Sequence, residues 1–508
     1  MTRDMNLYDT PFYTEDGKVW RNSFWSSVDQ CREPLNWDMS SILSLLSFDY
    51  ACGDRTLLSE VKRSPWLSSL DAEGNLHLGD IPPHGLNRVE PKDFARTMLK
   101  LLREEAIAAC TGKNEIYILL SGGLDSRIVA GVLSHAYESG EIKVKPTALS
   151  WGLEDCRDVQ YAEATAKILG FGFKHIKISS DDLYKNVVDH SKEIACLVAP
   201  NHLHCMSWLK CLSKDSVVLA GSYGDSIGRA EFSGRHLLEL DYLKPMNTFG
   251  LLKEELIEPA YIGLKKDFQE LKNRSGDAEQ YVHCEHQQQG FYMRSLIGHA
   301  MNTVNQYTSL YQMFTAPSVF RYVWSIHPSY RNDHMYAELL ELLHPVLARM
   351  PWARTNKALK GKTRLMKNSL VKEFHDYKGW IRGPLYSDIL KIVDPDWFEQ
   401  NGIFDPSSVR KLNNAILANT ASYSKYGMRP FEIWVWLASF RGFAEELANR
   451  SKSIIPASSQ YANASKVFSI NRDARSSLRR SLSSVKPMHS IISKIRKFYV
   501  NRVARMKW

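Results

Sequence analysis

The sequence predicts an α/β protein in which a parallel sheet precedes a large helical C-terminal region. Between residues 116 and 220, short apolar segments of strand length alternate with amphipathic segments of helix length. This alternation is typical of a parallel sheet that is covered on both faces. Beyond about residue 240, strand-like segments disappear and long helical patterns rich in Trp, Tyr and Leu take over. The 508 residues are 44% hydrophobic and 24% charged, as in an ordinary globular protein.

We predict that residues 1–89 form a small, separate module at the N-terminus. They are rich in aromatic residues and in turn signals, such as the Asp-Ala-Glu-Gly-Asn run at 71–75, so we expect short strands there. One helix is predicted near Met39–Phe48. An amphipathic helix is predicted over 90–109, where apolar residues recur at helical spacing and Pro91 stands near the start.

The alternating segment that follows predicts four strands and two helices. The predicted strands are 116–120, 143–150, 175–178 and 217–220, and the predicted helices are 127–137 and 158–169. We assign residues 90–465 to one α/β domain that includes the helical part from about 240.

Most of the net charge lies in a C-terminal tail, residues 466–508. The whole chain carries +9, and this tail holds twelve Lys or Arg against one acid, Asp473. The rest of the chain is therefore close to neutral, which argues against nucleic acid as a partner. Within 487–508, apolar residues recur every three to four positions among basic ones, which predicts a basic amphipathic helix for an anionic membrane surface or a partner protein. The alternative is a solvated tail.

The cysteines and the apolar segments indicate a cytoplasmic protein. Eight cysteines are scattered without a CxxC pair, which favours reduced thiols. No apolar run is long enough to span a membrane, and the first residues lack the pattern of a signal peptide. If the tail binds lipid, we expect the protein to be peripheral at the inner membrane face.

The strongest chemical signal is the hexapeptide Ser-Gly-Gly-Leu-Asp-Ser at 121–126, between a predicted buried strand and a predicted helix. Two glycines let the backbone approach an anion closely, and the N-terminus of the next helix offers N–H groups to it. Ser121 and Ser126 add hydroxyl donors. Asp125 fits such a loop if it holds Mg²⁺ against a phosphate.

This loop and three further segments resemble the asparagine synthetases. Residues 119–126 are similar to the pyrophosphate loop of N-type ATP pyrophosphatases, a group that includes that family. Residues 148–158 and 219–225 resemble its next two loops, and 45–57 resemble the segment before its synthetase domain. The resemblance covers about 40–450 and implies a parallel sheet of the ATP-pyrophosphatase type.

The resemblance also implies a site for ATP and Mg²⁺ at the carboxyl ends of the strands, where ligands of parallel sheets bind. The implied residues for ATP and pyrophosphate are Leu120, Ser121, Gly122, Gly123, Asp125, Ser126, Ser150, Trp151, Gly152, Ala220 and Gly221. Asp125 and Asp225 would hold Mg²⁺ from two strand ends.

The reaction that the resemblance implies is AMP-forming amide ligation, in which a small carboxylate is adenylated and an amine then displaces AMP. Segment 351–357 resembles a cationic loop of the family, so Arg354 and Lys357 are catalytic candidates, the alternative being solvated loop charges. Tyr223 is a candidate general base. Arg294 and His299 are candidates for the wall of the acceptor pocket.

The sequence departs from the family in ways that concern both substrates. Position 2 is Thr2 rather than the nucleophilic cysteine of the glutamine-using enzymes, and about 120 residues before Ser121 are too few for a glutaminase domain. We therefore expect ammonia or another amine, with a separate glutaminase as one source. Ser222 and Ser226 replace two glutamates, and residues 313–316 lack the family's acid, so aspartate is not the expected acceptor.

Three alternatives share the predicted fold. They are a macrolactam or peptide cyclase, a tRNA-modifying enzyme and a non-catalytic ATP-binding scaffold. The neutral body and the lack of paired cysteines argue against the tRNA enzyme. The His-containing segments 202–205 and 283–286 lack a second ligand pair at zinc spacing, so we predict structural or surface histidines there.

Overall fold

The computed structural model describes residues 11–14, 20–21, 23–71, 75–230, 245–302, 304–361, 370–418 and 428–457. The predicted basic tail 466–508 lies outside these residues. Among those described, no helix combines the length and the apolar character that crossing a membrane requires.

The N-terminal part of the described chain is a small module of short strands and two helices. The strands are β1 Phe12–Thr14, β2 Trp20–Arg21, β3 Leu35–Asn36, β4 Val61–Arg63, β5 Ser68–Leu70 and β6 Leu76–Leu78, and the helices are α1 Phe24–Val28 and α2 Met39–Phe48. Strand β1 pairs antiparallel with β2 and β4, and β5 pairs with β6. Helix α2 lies where the sequence predicts it and begins at Asp38, whose carboxylate accepts the Ser41 N–H at 2.9 Å, a typical N-terminal cap.

A five-stranded parallel sheet forms the centre of the molecule. Its strands are β7 Glu115–Leu119, β8 Thr147–Gly152, β9 Gly172–Lys177, β10 Ser216–Ala220 and β11 Ser309–Gln312. They lie in the spatial order β11-β10-β7-β8-β9, and every pair is parallel. The four predicted strands are all present. The prediction that strands end near residue 240 is wrong, because β11 lies within the predicted helical region. This edge strand has only four residues, too few to show a strand period.

Helices cover the sheet and join its strands. They are α3 Pro91–Cys110, α4 Leu124–Glu138, α5 Arg157–Ile168, α6 Ser180–Lys185 and α7 Ser191–Glu193. The predicted helices at 90–109, 127–137 and 158–169 correspond to α3, α4 and α5. Helix α4 directly follows β7, and α5 follows β8, so each helix carries the chain back to begin the next parallel strand.

The region beyond the sheet strands is mainly helical, as predicted. Its α-helices are α8 Glu254–Ser275, α9 Gln280–Gln287, α10 His299–Asn302, α11 Pro317–Trp324, α12 Asp333–Leu343, α13 Pro345–Arg349, α14 Tyr377–Arg382, α15 Tyr386–Ile392, α16 Pro395–Asn401, α17 Pro406–Ala418 and α18 Arg429–Asn449. Wider π-helical turns occur at Asn186–His190, Gly224–Gly228 and Gln288–Gly298. Helix α12 packs against α3, and α8 against α2. A two-residue strand, β12 Ile454–Ile455, pairs in parallel with β3 of the N-terminal module.

A buried ion pair joins distant parts of this core. Arg331 donates from Nη2 to Glu285 Oε1 at 2.7 Å, and both side chains are at most 2% exposed. His84 contacts the other oxygen of the same carboxylate, and the neighbouring His286 ring stacks on Trp324. His286 of segment 283–286 is thus packed in the protein core beside this ion pair, whereas His283 is partly exposed.

Replacing Glu285 with Ala is expected to lower the free energy of unfolding by about 3–5 kcal/mol, because Arg331 is left as a buried charge without its carboxylate. Urea unfolding followed by circular dichroism measures this loss. Glu104→Ala removes an exposed carboxylate with only a 4.0 Å partner, Lys100, and should cost less than about 0.5 kcal/mol. Equal losses in the two variants would contradict the expectation.

Candidate active site

A cavity of about 340 Å³ opens at the carboxyl ends of β7, β8 and β10. Most of the residues singled out from the sequence line it. They are Leu120, Ser121, Gly123, Asp125, Ser126, Ser150, Trp151, Ala220, Gly221, Tyr223 and Asp225. The structure therefore gathers residues from three separate segments at one edge of the sheet. Gly122, Gly152, Arg354 and Lys357 are not in the lining.

The loop at 121–126 folds on itself through its two serines. The Ser121 N–H donates to Ser126 Oγ at 3.1 Å, and the Gly123 N–H donates to Ser121 Oγ at 3.1 Å. Helix α4 begins after Gly123, and no side chain caps that helix end. An uncapped helix N-terminus at a cavity presents its N–H groups and its positive dipole end to an anion.

Gly122 and Gly152 lie behind the residues that line the cavity and support them. The Gly122 N–H donates to Asp158 Oδ1 at 3.1 Å, so this donor is directed at α5. Burial raises the pKa of the Asp158 carboxyl, and the bond from Gly122 opposes that rise. The Gly152 carbonyl accepts a bond from His175 Nε2 at 2.9 Å. A Cβ at Gly152 would lie 3.0 Å from Cys156 Sγ, so a side chain there would crowd that thiol.

The loop after β10 packs directly onto the loop after β7. A Cβ at Gly221 would lie 2.6 Å from the Ser126 nitrogen, and one at Gly224 would lie 2.5 Å from Asp125 Oδ1. Both distances are too short for a real side chain, so glycine is needed for this approach. Between them, Tyr223 has a φ of 76° and is 2% exposed.

Asp125 and Asp225 are the only charged residues among the described residues that line the cavity. Burial raises the pKa of the Asp125 carboxyl, Arg229 opposes this, and the charge of Asp225 raises the pKa further. Asp125 Oδ1 is buried without a hydrogen-bond partner among the described residues. Two interacting carboxylates with an unsatisfied oxygen are a donor set that suits a hard divalent cation such as Mg²⁺.

Arg229 is a site residue that the sequence analysis missed. Its Nη2 lies 3.6 Å from Asp125 Oδ2, and its Nη1 donates to Asp333 Oδ1 at 2.9 Å. The guanidinium also faces the Tyr336 and Trp352 rings. Arg229 follows the predicted acidic loop by four residues, but Gly224–Gly228 is a π-helical turn. Without the α-helical period, sequence spacing did not show that Arg229 returns to Asp125.

The candidate cationic loop lies beside the 121–126 loop, but its charges point elsewhere. The Ala353 N–H donates to the Gly122 carbonyl at 3.0 Å. Arg354 and Lys357 are exposed, and the Arg354 guanidinium lies 5.4 Å from the Trp352 ring. Their catalytic roles stay predictions. Of the two serines that replace glutamates, Ser222 lines the cavity, whereas Ser226 is buried and donates to the Tyr223 carbonyl at 3.2 Å.

An apolar wall closes the side of the cavity opposite the loops. It consists of Tyr292, Met293, Ile297 and Met301 from segment 288–302. The sequence analysis named Arg294 and His299 in this segment instead. Arg294 donates to Asp54 Oδ1 at 2.8 Å, and His299 Nε2 lies 2.9 Å from the Ile194 carbonyl, so neither lines this cavity. The π-helical course of residues 288–298 shifts which positions share a face.

The parallel sheet and the paired loops at its carboxyl edge lie largely within residues 98–229. Residues 98–229 match the family model described as "Asparagine synthase". The predicted family resemblance is therefore confirmed for these residues, and the five-stranded sheet confirms the predicted parallel α/β fold.

Two solved structures show a slight similarity. NMN synthetase from Francisella tularensis is 20% identical over 28% of this chain and 60% of its own, with a TM-score of 0.21. The chain thus spans about 60% of the length of that enzyme. A predicted subunit of tRNA methyltransferase from Methanocaldococcus jannaschii DSM is 22% identical over 33% of this chain and 91% of its own, with a TM-score of 0.16. No curated protein matches the sequence.

Replacing Asp125 with Asn is expected to raise the Tm at pH 8, measured in magnesium-free buffer. Because the pKa of this carboxyl is higher in the folded than in the unfolded chain, the wild-type protein loses stability as the pH rises between the two values. The difference in Tm should therefore shrink as the pH falls from 8 towards 5. Glu104→Gln, at an exposed position, should change Tm little at either pH. A difference in Tm that does not vary with pH would contradict the raised pKa of the Asp125 carboxyl in the folded chain.

Proposed function

We propose that this protein is an ATP-dependent, AMP- and pyrophosphate-forming amide ligase that adenylates a small carboxylate and transfers ammonia or another amine to it. One observation carries the proposal. The loops after β7 and β10 interlock through Gly221 and Gly224, and this brings Asp125 and Asp225 into one cavity. The family model that residues 98–229 match supports ATP as the nucleotide.

In this proposal the loop after β7 binds the pyrophosphate part of ATP. The hydroxyls of Ser121 and Ser126 and the uncapped start of α4 face the cavity and donate to the phosphate oxygens. The ends of β8 and β10 provide the walls for adenine and ribose, with Trp151 and Ala220 on either side. Gly122 supports the loop through Asp158 and Ala353 rather than through contact with the nucleotide.

The two aspartates and Arg229 would control charge at the phosphates. When bound by Asp125 and Asp225, Mg²⁺ would neutralise phosphate oxygens and so favour departure of pyrophosphate. Arg229 lies beside the Asp125 carboxylate, and its charge opposes the rise in the pKa of that carboxyl that burial causes. Arg354 and Lys357 sit on a loop that touches the phosphate loop, and we propose that one of them turns inward to the leaving pyrophosphate or to the developing oxyanion.

The chemistry proceeds in two displacements. A carboxylate oxygen of the acceptor attacks the α-phosphorus, the bond from that phosphorus to the bridging oxygen breaks, and pyrophosphate leaves. The amine nitrogen then attacks the acyl carbon, the acyl–oxygen bond breaks, AMP leaves with the electron pair, and the nitrogen loses a proton. Tyr223 lies in the cavity wall and is the proposed acceptor of that proton.

The acceptor is proposed to be a carboxylate other than aspartate. The wall formed by residues 292, 293, 297 and 301 is apolar, and the described lining offers no cation to pair with a second carboxylate of the substrate. Ser222 stands where the family has a glutamate. The nitrogen is proposed to come from free ammonia, from a separate glutaminase or from an amine on the substrate.

Purified protein with Mg-ATP is expected to release AMP and pyrophosphate only when one member of a carboxylate panel is present, with ammonium and not glutamine as the nitrogen donor. Transfer of ¹⁸O from the labelled carboxylate to AMP tests the first displacement directly. Asp125→Asn should abolish turnover, whereas Glu104→Gln should not. ATP binding without turnover on any carboxylate would move the proposal to a peptide acceptor, and absence of ATP binding would refute it.

Gly224→Ala is expected to weaken ATP binding by at least tenfold, because the added methyl group displaces Asp125 from the cavity. Gly442→Ala is the matched control, since a Cβ there meets its nearest atom, Lys192 Cδ, at an ordinary 3.6 Å. Calorimetric titration of each variant with Mg-ATP measures the effect. Equal affinity in both variants would show that the close approach of the two loops is not needed for the nucleotide.

A further inference from the structure

A second cavity, of about 640 Å³, lies between the N-terminal module, helix α8 and segment 288–298. It shares no lining residue with the cavity at the sheet edge. The two cavities lie on different faces of the same helical segment: Phe291 and Arg294 line this second cavity, whereas Tyr292, Met293 and Ile297 line the first. The proposed ligase chemistry makes no use of this second space.

The walls of this second cavity hold more positive than negative charge. Arg294 and Arg274 line it, and Arg63 lies directly behind, 0% exposed and bonded to Ser295 Oγ. Asp54 is the one carboxylate paired with Arg294, and the exposed Asp80 acts on Arg274 from outside. Arg55 and Lys62 are separately balanced by Asp38 and Asp267.

Arg294 itself is incompletely satisfied. Its side chain is 1% exposed, and only Nη1 is bonded, to Asp54 and to the Gly53 carbonyl. Nε and Nη2 are buried without a hydrogen-bond partner among the described residues. Burial and, next, the charge of Arg294 lower the pKa of the Arg63 guanidinium to about 9. Buried guanidinium groups of like charge are costly unless an anion compensates them.

Part of the cavity wall is apolar and aromatic. Trp66 and Phe291 line it together with Leu271 and Pro65. Gly290 allows this arrangement, because a Cβ there would already lie 3.2 Å from the Trp66 ring. Charge on one side and an apolar surface on the other suit a ligand with an anionic group and an apolar body.

We propose that this second cavity binds a small organic anion, whose carboxylate or phosphate group is held at Arg274 and Arg294 and whose apolar body packs on Trp66 and Phe291. Arg274 is the accessible cation of the pair, since its side chain is only partly buried and its Nη2 donates to the Gly79 carbonyl at 3.0 Å. Arg294 forms the inner end and supplies the buried positive charge.

Calorimetric titration of the full chain with benzoate, phenyl phosphate and benzyl alcohol tests the proposal. One or both anions should bind saturably, and at least tenfold more tightly than the neutral alcohol, because charge-assisted bonds require the anionic group. Benzoate and phenyl phosphate separate the carboxylate from the phosphate as the preferred group. Absence of saturable binding, or equal affinity for the alcohol, would overturn the proposal.

Substitutions of the two arginines test whether the anion binds in this second cavity. Arg274→Gln should weaken binding about tenfold and Arg274→Lys should retain most of it, since lysine keeps the charge. Arg96→Gln, on an exposed surface of α3, is the matched control and should bind as wild type does. Arg294→Gln should also weaken binding, provided circular dichroism shows that it folds. Unchanged affinity in Arg274→Gln would refute the assignment to this cavity.

Discussion

Arg127 holds the active-site loop to the rest of the molecule. This residue of α4 is 1% exposed, and its two Nη atoms donate to four carbonyls, those of Gly122, Leu347, Met350 and Pro351. Burial lowers the pKa of its guanidinium to about 10, yet no carboxylate is needed, since carbonyl dipoles surround the charge. Through this one side chain, the turn after β7 is fixed against the chain that follows α13. The backbone approach of Ala353 to Gly122 depends on the same anchor.

In this cavity, glycines allow two loops to approach closely, and this places an aspartate in an unfavourable environment. Gly221 and Gly224 bring two backbone turns closer than side chains allow, and Asp125 is thereby enclosed next to a like charge. Enclosure costs stability in the folded chain without a ligand, because the carboxylate is separated from water. The same enclosure strengthens any interaction with a cation, since the local dielectric constant is low. Stability and affinity therefore oppose each other at this position.

The sequence was informative where local chemistry decides structure. Apolar runs located β7, β8, β9 and β10, and the hexapeptide at 121–126 located a loop that lines the cavity, because strand burial and glycine turns depend on neighbouring residues. It failed where tertiary packing decides. Strand β11 is extended only because it pairs with β10. Arg229 approaches Asp125, and the apolar wall beginning at Tyr292 reaches the cavity, through π-helical turns, whose spacing no α-helical period describes.

The pairing of β12 with β3 has a consequence for the order in which the chain folds. Ile454 lies opposite Leu35, more than four hundred residues earlier, and Leu35 also receives a bond at its N–H from the Ser453 carbonyl. During synthesis, β3 therefore leaves the ribosome long before its partner exists. Until β12 arrives, β3 presents an unpaired edge, the kind of surface on which nascent chains associate wrongly. Trp37, the residue directly after β3, packs against Phe440 of α18, so the N-terminal module is completed by segments that are synthesised much later.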